Sequence, residues 1–233
     1  MGRVTPHSGI LCRVCGERLV SEHTLTPEGP LCGICRQVAP PFSRAVAYGA
    51  YDGELRELIH LLKFQGVHSV APRLGGFIAE ALKGIELPEA FVVVPVPLFS
   101  GKRRSRGFNQ AEEIAKAFTS MKRGKGIRLE TGCLIRSRDT SSQIGLTRHQ
   151  RRANLRGAFA VRHPERVHGR TVLLVDDVMT TGTTAAECAR LLLKAGAGRV
   201  VVATVARAIR ETPFTLADLA VEAAGKFAEL ANA

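Results

Sequence analysis

One stretch, Val172–Thr184, restricts the fold of this 233-residue chain more than any other. It reads Val172-Leu173-Leu174-Val175, then Asp176-Asp177, then Val178-Met179 and Thr180-Thr181-Gly182-Thr183-Thr184. Four apolar residues in a row, without alternation, predict a strand buried on both faces of a parallel sheet. The acids fall at its C-terminal end, where open α/β sheets gather their ligands. The threonine-rich segment then enters a helix expected over 184–193, and the unpaired N–H groups at such a start can hold an anion. Two acids just before a phosphate cradle suit a ligand bearing both hydroxyls and a phosphate, that is, a sugar phosphate. The plain alternative is a strand with two solvated acids and a threonine cap, but propensity alone does not concentrate these residues.

Residues 10–38 carry a second constraint. Cys12-x2-Cys15 and Cys32-x2-Cys35 are separated by 16 residues. Two such knuckles supply four sulfurs with tetrahedral geometry, the closed site of structural zinc. Gly16 and Gly33 stand where the knuckles need a turn. So short a segment cannot bury enough surface to fold alone, and metal would supply its stability. Two disulfides are the competing reading, disfavoured in a cytosolic chain. A redox dithiol would need only one of the pairs. Such a ribbon binds nucleic acid or protein, or braces a neighbour. Cys133 and Cys188 stand alone and read as small core residues.

After the Ala39-Pro40-Pro41 boundary the pattern alternates strands and helices. A strand and turn are expected over 44–51, helices over 54–64 and 72–83, and a buried strand over 90–97. A helix follows over 109–118, a strand or ordered loop over 128–138, and a short strand over 158–161. The central strand is expected over 170–176 and a Val-rich strand over 199–206. This order predicts an α/β fold with a parallel sheet. Between Pro97 and Asn109 lies a basic loop with Lys102, Arg103, Arg104 and Arg106, given flexibility by Gly101 and Gly107. It faces the same crevice as Asp176 and could neutralise a pyrophosphate. Residues 138–152, with Gln143, Arg148 and Arg151, read as a mobile polar segment and a short basic helix: a lid over the cleft, or a surface insertion. The tail from Glu211 places Leu216, Leu219, Ala220, Ala223, Phe227 and Leu230 on one helical face, to be buried on its own core or on a second copy in a homodimer.

The formal charge of +12 favours phosphate-bearing partners, with a merely solvated basic surface as the alternative. Aromatic residues make up only 5% and there is no Trp, so stacking platforms for single-stranded DNA are few. No apolar run approaches the roughly 20 residues of a membrane span. With no signal-peptide pattern at the N-terminus, the expected location is cytoplasmic.

Val172–Thr184 resembles, along its whole length, the motif by which type I phosphoribosyltransferases bind phosphoribosyl pyrophosphate (PRPP). Further features narrow the likeness: the paired Cys-x-x-Cys, Leu62-Lys63-Phe64, Val94-Pro95-Val96-Pro97 with Arg106-Gly107-Phe108-Asn109-Gln110, and Gln143-x-x-Leu146 with Arg151, Asn154 and Gly157-Ala158-Phe159. In this order they resemble the ComF family over about residues 10–207. The resemblance implies a zinc ribbon at 10–38, a phosphoribosyltransferase-like sheet flanked by helices at 42–207, and a helical tail at 208–233. It implies that Asp176 and Asp177 hold the ribose hydroxyls and that Thr180, Thr181, Gly182, Thr183 and Thr184 bind the 5′-phosphate. Pro97, Leu98, Lys102, Arg103 and Arg104 would form the pyrophosphate loop, and Gln143, Arg148 and Arg151 a flexible loop. Cys12, Cys15, Cys32 and Cys35 would hold Zn²⁺, and Mg²⁺ would accompany PRPP. The implied role is DNA uptake in natural transformation, alongside DNA-uptake proteins and single-stranded DNA. The implied chemistry, if retained, is displacement of pyrophosphate at ribose C1 by an acceptor. Thr180 stands where some purine-specific relatives carry an acid, which argues against purine salvage.

Overall fold

The computed structural model describes residues 4–19, 25–27, 29–122, 126–138, 155 and 157–208. Gln143, Arg148 and Arg151, expected in a lid or surface insertion, and the tail beyond residue 208 lie outside them. The ribbon contributes β1 (Leu25–Thr26), β2 (Gly29–Pro30) and α1 (Gly33–Gln37). The body adds β3 (Arg44–Ala50), α2 (Gly53–Gln65), α3 (Ala71–Ala81), β4 (Val92–Pro95), α4 (Ser100–Arg106) and α5 (Gln110–Met121). It continues with β5 (Arg128–Leu129), β6 (Leu134–Arg136), β7 (Phe159–Val161), β8 (Thr171–Met179), α6 (Thr183–Lys194) and β9 (Arg199–Arg207).

Five strands form an all-parallel sheet in the order β3-β9-β8-β4-β5, and β6 with β7 makes a separate antiparallel pair. Alternate side chains serve opposite faces. Val92, Val94, Val172, Leu174, Val200 and Val202 join α6 residues such as Ala189 and Leu192 on one side. Val93, Leu173, Val175, Val201 and Ala203 meet α2, α3 and α5 on the other. Both faces are covered, so the strands carry unbroken apolar runs. Cys133 and Cys188 are fully buried within this core. No helix among the described residues is long and apolar enough to cross a membrane.

The chain leaves β4 toward β5 and leaves β8 toward β9, in opposite directions across the sheet. That reversal opens a crevice at the C-terminal ends of β4 and β8, where such sheets bind ligands. Pairing with β4 stops at Val175, with one further bond from Val96 N–H to the Val175 carbonyl, 2.8 Å. Pairing with β9 continues to Met179 and Arg207. β8 therefore runs three residues past the expected end at Asp176, and the acids lie within a strand that is paired on one side only.

Two local expectations change. The basic loop after β4 is instead a seven-residue helix, α4, which takes in Gly101. Lys and Arg are good helix formers, and Gly107 closes the helix at φ 86°, with its N–H on the Arg103 carbonyl. Residues 128–138 split into β5, on the edge of the main sheet, and β6 outside it.

The ribbon lies against the outer edge of β3. Ala45 N–H donates to the Val14 carbonyl (2.7 Å), and His7 N–H donates to the Tyr48 carbonyl (2.7 Å). These bonds occupy an edge that would otherwise be open to another chain. Gly16 suits this contact twice over: its φ is +69°, and a Cβ there would lie 3.0 Å from the Ala45 carbonyl oxygen. Gly33, where a knuckle turn is expected, is the first residue of α1, without a positive φ.

Candidate functional site

Asp176 and Asp177 follow one another on β8 and so project to opposite faces. Asp177 is 4% exposed and shares its face with Leu173 and Val175. There it meets Lys63, whose Nζ lies 3.1 Å from Oδ2. Helix α2 starts just beyond the C-terminal end of β3 and packs Leu55, Ile59 and Leu62 with Leu173 and Val175 on one sheet face, so its last turn delivers Lys63 to β8, two strands away. Burial pushes the Asp177 carboxyl up, but Lys63 and the hydrogen bonds from Asp176, Lys63 and Val178 N–H more than offset this, and the net direction is down. The same pairing with Asp177 raises Lys63 against its own burial. Asp176 behaves differently. Burial first, then the neighbouring Asp177 charge, raise it well above the usual carboxylate range. Its Oδ1 accepts from Asp177 N–H, 2.9 Å. The pair is thus asymmetric, one member held ionised by a lysine and the other inclined to keep a proton. Asp177 Oδ2, although close to Lys63, takes no hydrogen bond of good geometry among the described residues.

Beyond Met179 the backbone turns through Gly182, at φ 77°, into α6. The positive φ calls for glycine here; a Cβ would also lie 2.7 Å from Met179 Cε, the mobile end of a flexible side chain that could shift to make room. Thr181 Oγ1 and Thr183 Oγ1 are 2.8 Å apart. Thr181 Oγ1 accepts a long hydrogen bond from Thr183 N–H, 3.5 Å, but among the described residues no acid stands in the first turn of α6, which leaves its other leading N–H groups and the positive end of the helix dipole facing the strand end. The structure thus brings Asp176, Asp177, Thr180, Thr181, Gly182, Thr183 and Thr184 together at one strand end.

Pro97 and Leu98 leave β4 beside this point. Lys102, Arg103 and Arg104 are exposed on α4, and Arg103 Nη1 pairs with Glu112 Oε2 at 3.0 Å. Arg106 bonds Gln110 Oε1 and lies close enough to feel the Asp177 charge, although burial lowers its pKa on balance. Its guanidinium also lies 5.8 Å from the centre of the Phe64 ring, and Lys63 Nζ lies 5.7 Å from it. Phe64 is 65% exposed, supported edge-on by His60, which Tyr51 Oη holds at 2.9 Å.

Lys63 and Phe64 escaped the sequence reading as site residues. A signal was present. Leu55, Ile59 and Leu62 line the buried face of α2, and a lysine one turn after Ile59 needs an anion to meet it.

At the ribbon, the sulfurs of Cys12, Cys15, Cys32 and Cys35 lie within 4.8 Å of one another, and all four cysteines are free of disulfides. Cys32 caps α1, its sulfur accepting from Cys35 N–H at 3.4 Å. The crowded sulfurs cannot all ionise by themselves. Hydrogen bonds from Cys15, Cys32 and Cys35 favour the Cys12 thiolate, while Cys12 above all, with Cys32, holds Cys15 and Cys35 as thiols. A cation resolves that conflict, and four sulfurs so disposed could hold a metal ion such as zinc.

The sheet and its strand-end crevice define a phosphoribosyltransferase-like protein, and the family model "Phosphoribosyl transferase domain" matches residues 104–219. The chain is 35% identical over 217 residues to DNA utilization protein YhgH of Escherichia coli K12, covering 87% of this chain and 92% of that protein. It is 35% identical over 185 residues to competence protein F of Haemophilus influenzae, covering 76% and 78%. Competence protein ComFC of Bacillus subtilis is 25% identical over 146 residues, covering 63% and 56%. The chain belongs to the ComF family. Among solved structures, glutamine PRPP amidotransferase from B. subtilis aligns over 59% of this chain and 26% of that one, with 27% identity and a TM-score of 0.40.

Proposed function

We propose that the protein binds PRPP with Mg²⁺ at the C-terminal end of β8 and acts, in the cytoplasm, in DNA uptake for natural transformation. The observation that carries the ligand is the junction of an acid pair, Asp177 buried and Asp176 half-buried, with the acid-free N-terminus of α6. In this reading Asp176 and Asp177 take the ribose 2′- and 3′-hydroxyls, and Asp177 Oδ2 has a lone pair to offer. Thr180–Thr184 hold the 5′-phosphate through the first N–H groups of α6 and their hydroxyls. The pyrophosphate lies toward Pro97, Leu98 and the α4 cations Lys102, Arg103 and Arg104. Lys63 keeps Asp177 ionised and fixes its orientation. Carboxylate oxygens suit Mg²⁺, which when bound neutralises charge on the pyrophosphate. The four cysteines hold structural zinc at 10–38, and 42–207 form the ligand-binding domain. Gln143, Arg148 and Arg151 serve as the flexible loop over the site. The role in DNA uptake rests on the names of the relatives, DNA utilization protein and competence protein F.

Isothermal calorimetry with PRPP and Mg²⁺ tests the ligand. Asp176→Ala with Asp177→Ala is expected to abolish binding; an unchanged affinity removes the site assignment.

A second reading, an active transferase with a planar acceptor, is favoured by Phe64. Its exposed ring stands beside the acid pair, flanked by Lys63 and Arg106. Pyrophosphate release from PRPP that depends on an added acceptor would establish it, and the absence of release with every acceptor pool tried would refute it. The same ring offers a stacking face to a base of single-stranded DNA.

A further inference from the structure

Arg207 is the last residue of β9 and is 4% exposed. It does not belong to the acid-pair site. Its side chain turns toward the ribbon, where Nη2 donates to Glu17 Oε2 and lies 3.9 Å from Cys15 Sγ. Nε and Nη1 have no partner among the described residues. A guanidinium is costly to bury with unmet donors. Around it is a cavity of about 90 Å³ between ribbon and body, lined by Cys15, Cys32 and Cys35 on one side and by Thr181, Gly182 and Thr183 on the other. A zinc ion with four thiolates carries a formal charge of two minus, and its sulfurs accept N–H donors from an outer shell. The buried cation and the buried anionic centre are therefore complementary.

The other end of Arg207 leads to the phosphate cradle. Arg207 pairs across the sheet with Met179, and Ala208 N–H donates to the Met179 carbonyl at 3.0 Å. Met179 Cε in turn packs where a Cβ on Gly182 would lie. We propose that Arg207 is the outer hydrogen-bond donor and counter-charge of the four-thiolate centre, and that through it metal occupancy is coupled to the phosphate loop. On this account the ribbon is a working part of the ligand site. The coupling rests on the reading of Thr180–Thr184 as the phosphate cradle.

The test measures PRPP·Mg²⁺ affinity by calorimetry on the reduced full chain, with zinc bound and after its removal. It also measures zinc affinity against a competing chelator, with and without PRPP·Mg²⁺. Loss of zinc is expected to weaken PRPP binding about tenfold, and PRPP to tighten zinc by the same factor, since coupling between sites is reciprocal. Arg207→Met should lower both affinities and remove the coupling, and Arg207→Lys should restore part of it. Glu17→Gln, which leaves the strand untouched, should move both affinities the same way by less. Should the zinc-free chain or Arg207→Met lose its fold, zinc-loaded Arg207→Lys and Glu17→Gln against zinc-loaded wild type decide the matter. Equal PRPP affinity with and without zinc, or coupling that survives in Arg207→Met, overturns the proposal. A zinc-loaded wild type that fails to bind PRPP overturns the cradle reading and the coupling with it. The zinc affinity of Arg207→Met then still decides whether Arg207 serves the metal centre.

Discussion

The four-cysteine ribbon and the end of β8 are neighbours, and they organise charge in opposite ways. In the ribbon the side chains converge. Four sulfurs meet within 4.8 Å, and β1 and β2 span only two residues each. At the end of β8 the backbone is already fixed by a nine-residue strand and a twelve-residue helix, and the side chains diverge to opposite faces. On the proposed reading the ribbon needs an ion to have a structure, whereas the β8 site has its structure first and would meet PRPP with groups that cannot move far. Loss of a ligating residue should therefore undo the ribbon's fold, whereas loss of an acid should empty the β8 site while leaving the sheet in place.

The largest effect is expected at the ribbon. Structural zinc in small domains contributes on the order of 10 kcal/mol to folding. Cys12→Ser or Cys35→Ser should reduce bound zinc from about one ion per chain to almost none, as measured by plasma mass spectrometry. Full zinc retention in either variant would break the contrast at once. Next comes the buried ion pair. Lys63→Met leaves Asp177 buried without its cation, a change that costs about 3 kcal/mol when one partner of such a pair is removed. Lys63 is 27% exposed, so the value belongs at the lower end of the range. Urea unfolding reads it directly, and a loss below measurement error would mean that Asp177 has another way to shed its charge.

The two regions also differed in how far they could be read from residues alone. The cysteine spacing and the Val172–Thr184 run are local patterns, and each predicted its own neighbourhood. The parallel sheet followed from strand–helix alternation. Residues joined by crossover were harder to see. Lys63 reaches Asp177 across 114 positions of sequence, from a helix that reads as ordinary amphipathic packing. Arg207 looks like the polar end of a Val-rich strand until the ribbon is placed beside it. In the stretch after β4 Gly101 suggests a flexible loop, but the surrounding Lys and Arg residues favour helix and Gly107 ends it. Local chemistry was legible, and the partners that give it charge balance were set by topology.

A smaller effect is expected at the turn between the two regions. Gly182→Ala places a Cβ against Met179 Cε in a backbone conformation that costs an L-residue about 1–2 kcal/mol. If the phosphate cradle depends on backbone already in place, PRPP affinity should fall by about tenfold with little change in zinc content. A variant with unaltered affinity would show that the loop adapts, and the contrast with the ribbon would weaken accordingly.

The subtlest prediction concerns protons, and it turns on the asymmetry of the acid pair. Asp177 lies below its ordinary value of 3.8 and contributes stability above that value, lost as pH falls through the depressed one. Asp176 lies well above 3.8, so between 3.8 and its raised value the folded chain keeps a proton that the unfolded chain has lost. Its contribution to stability therefore declines as pH rises through that window. A protonated Asp176 is a poorer acceptor for a ribose hydroxyl, so PRPP binding should strengthen with pH over the same window and release a proton. The ligand's own phosphates titrate near pH 6, which obscures a single curve. Asp176→Asn keeps the phosphate titration and removes the carboxyl. The difference between the two affinity–pH curves isolates Asp176, and calorimetry in buffers of different ionisation enthalpy counts the proton. Parallel curves for wild type and Asp176→Asn would show that Asp176 keeps the same protonation state in the free and bound protein, and the proton-linked asymmetry of the pair would then play no part in binding.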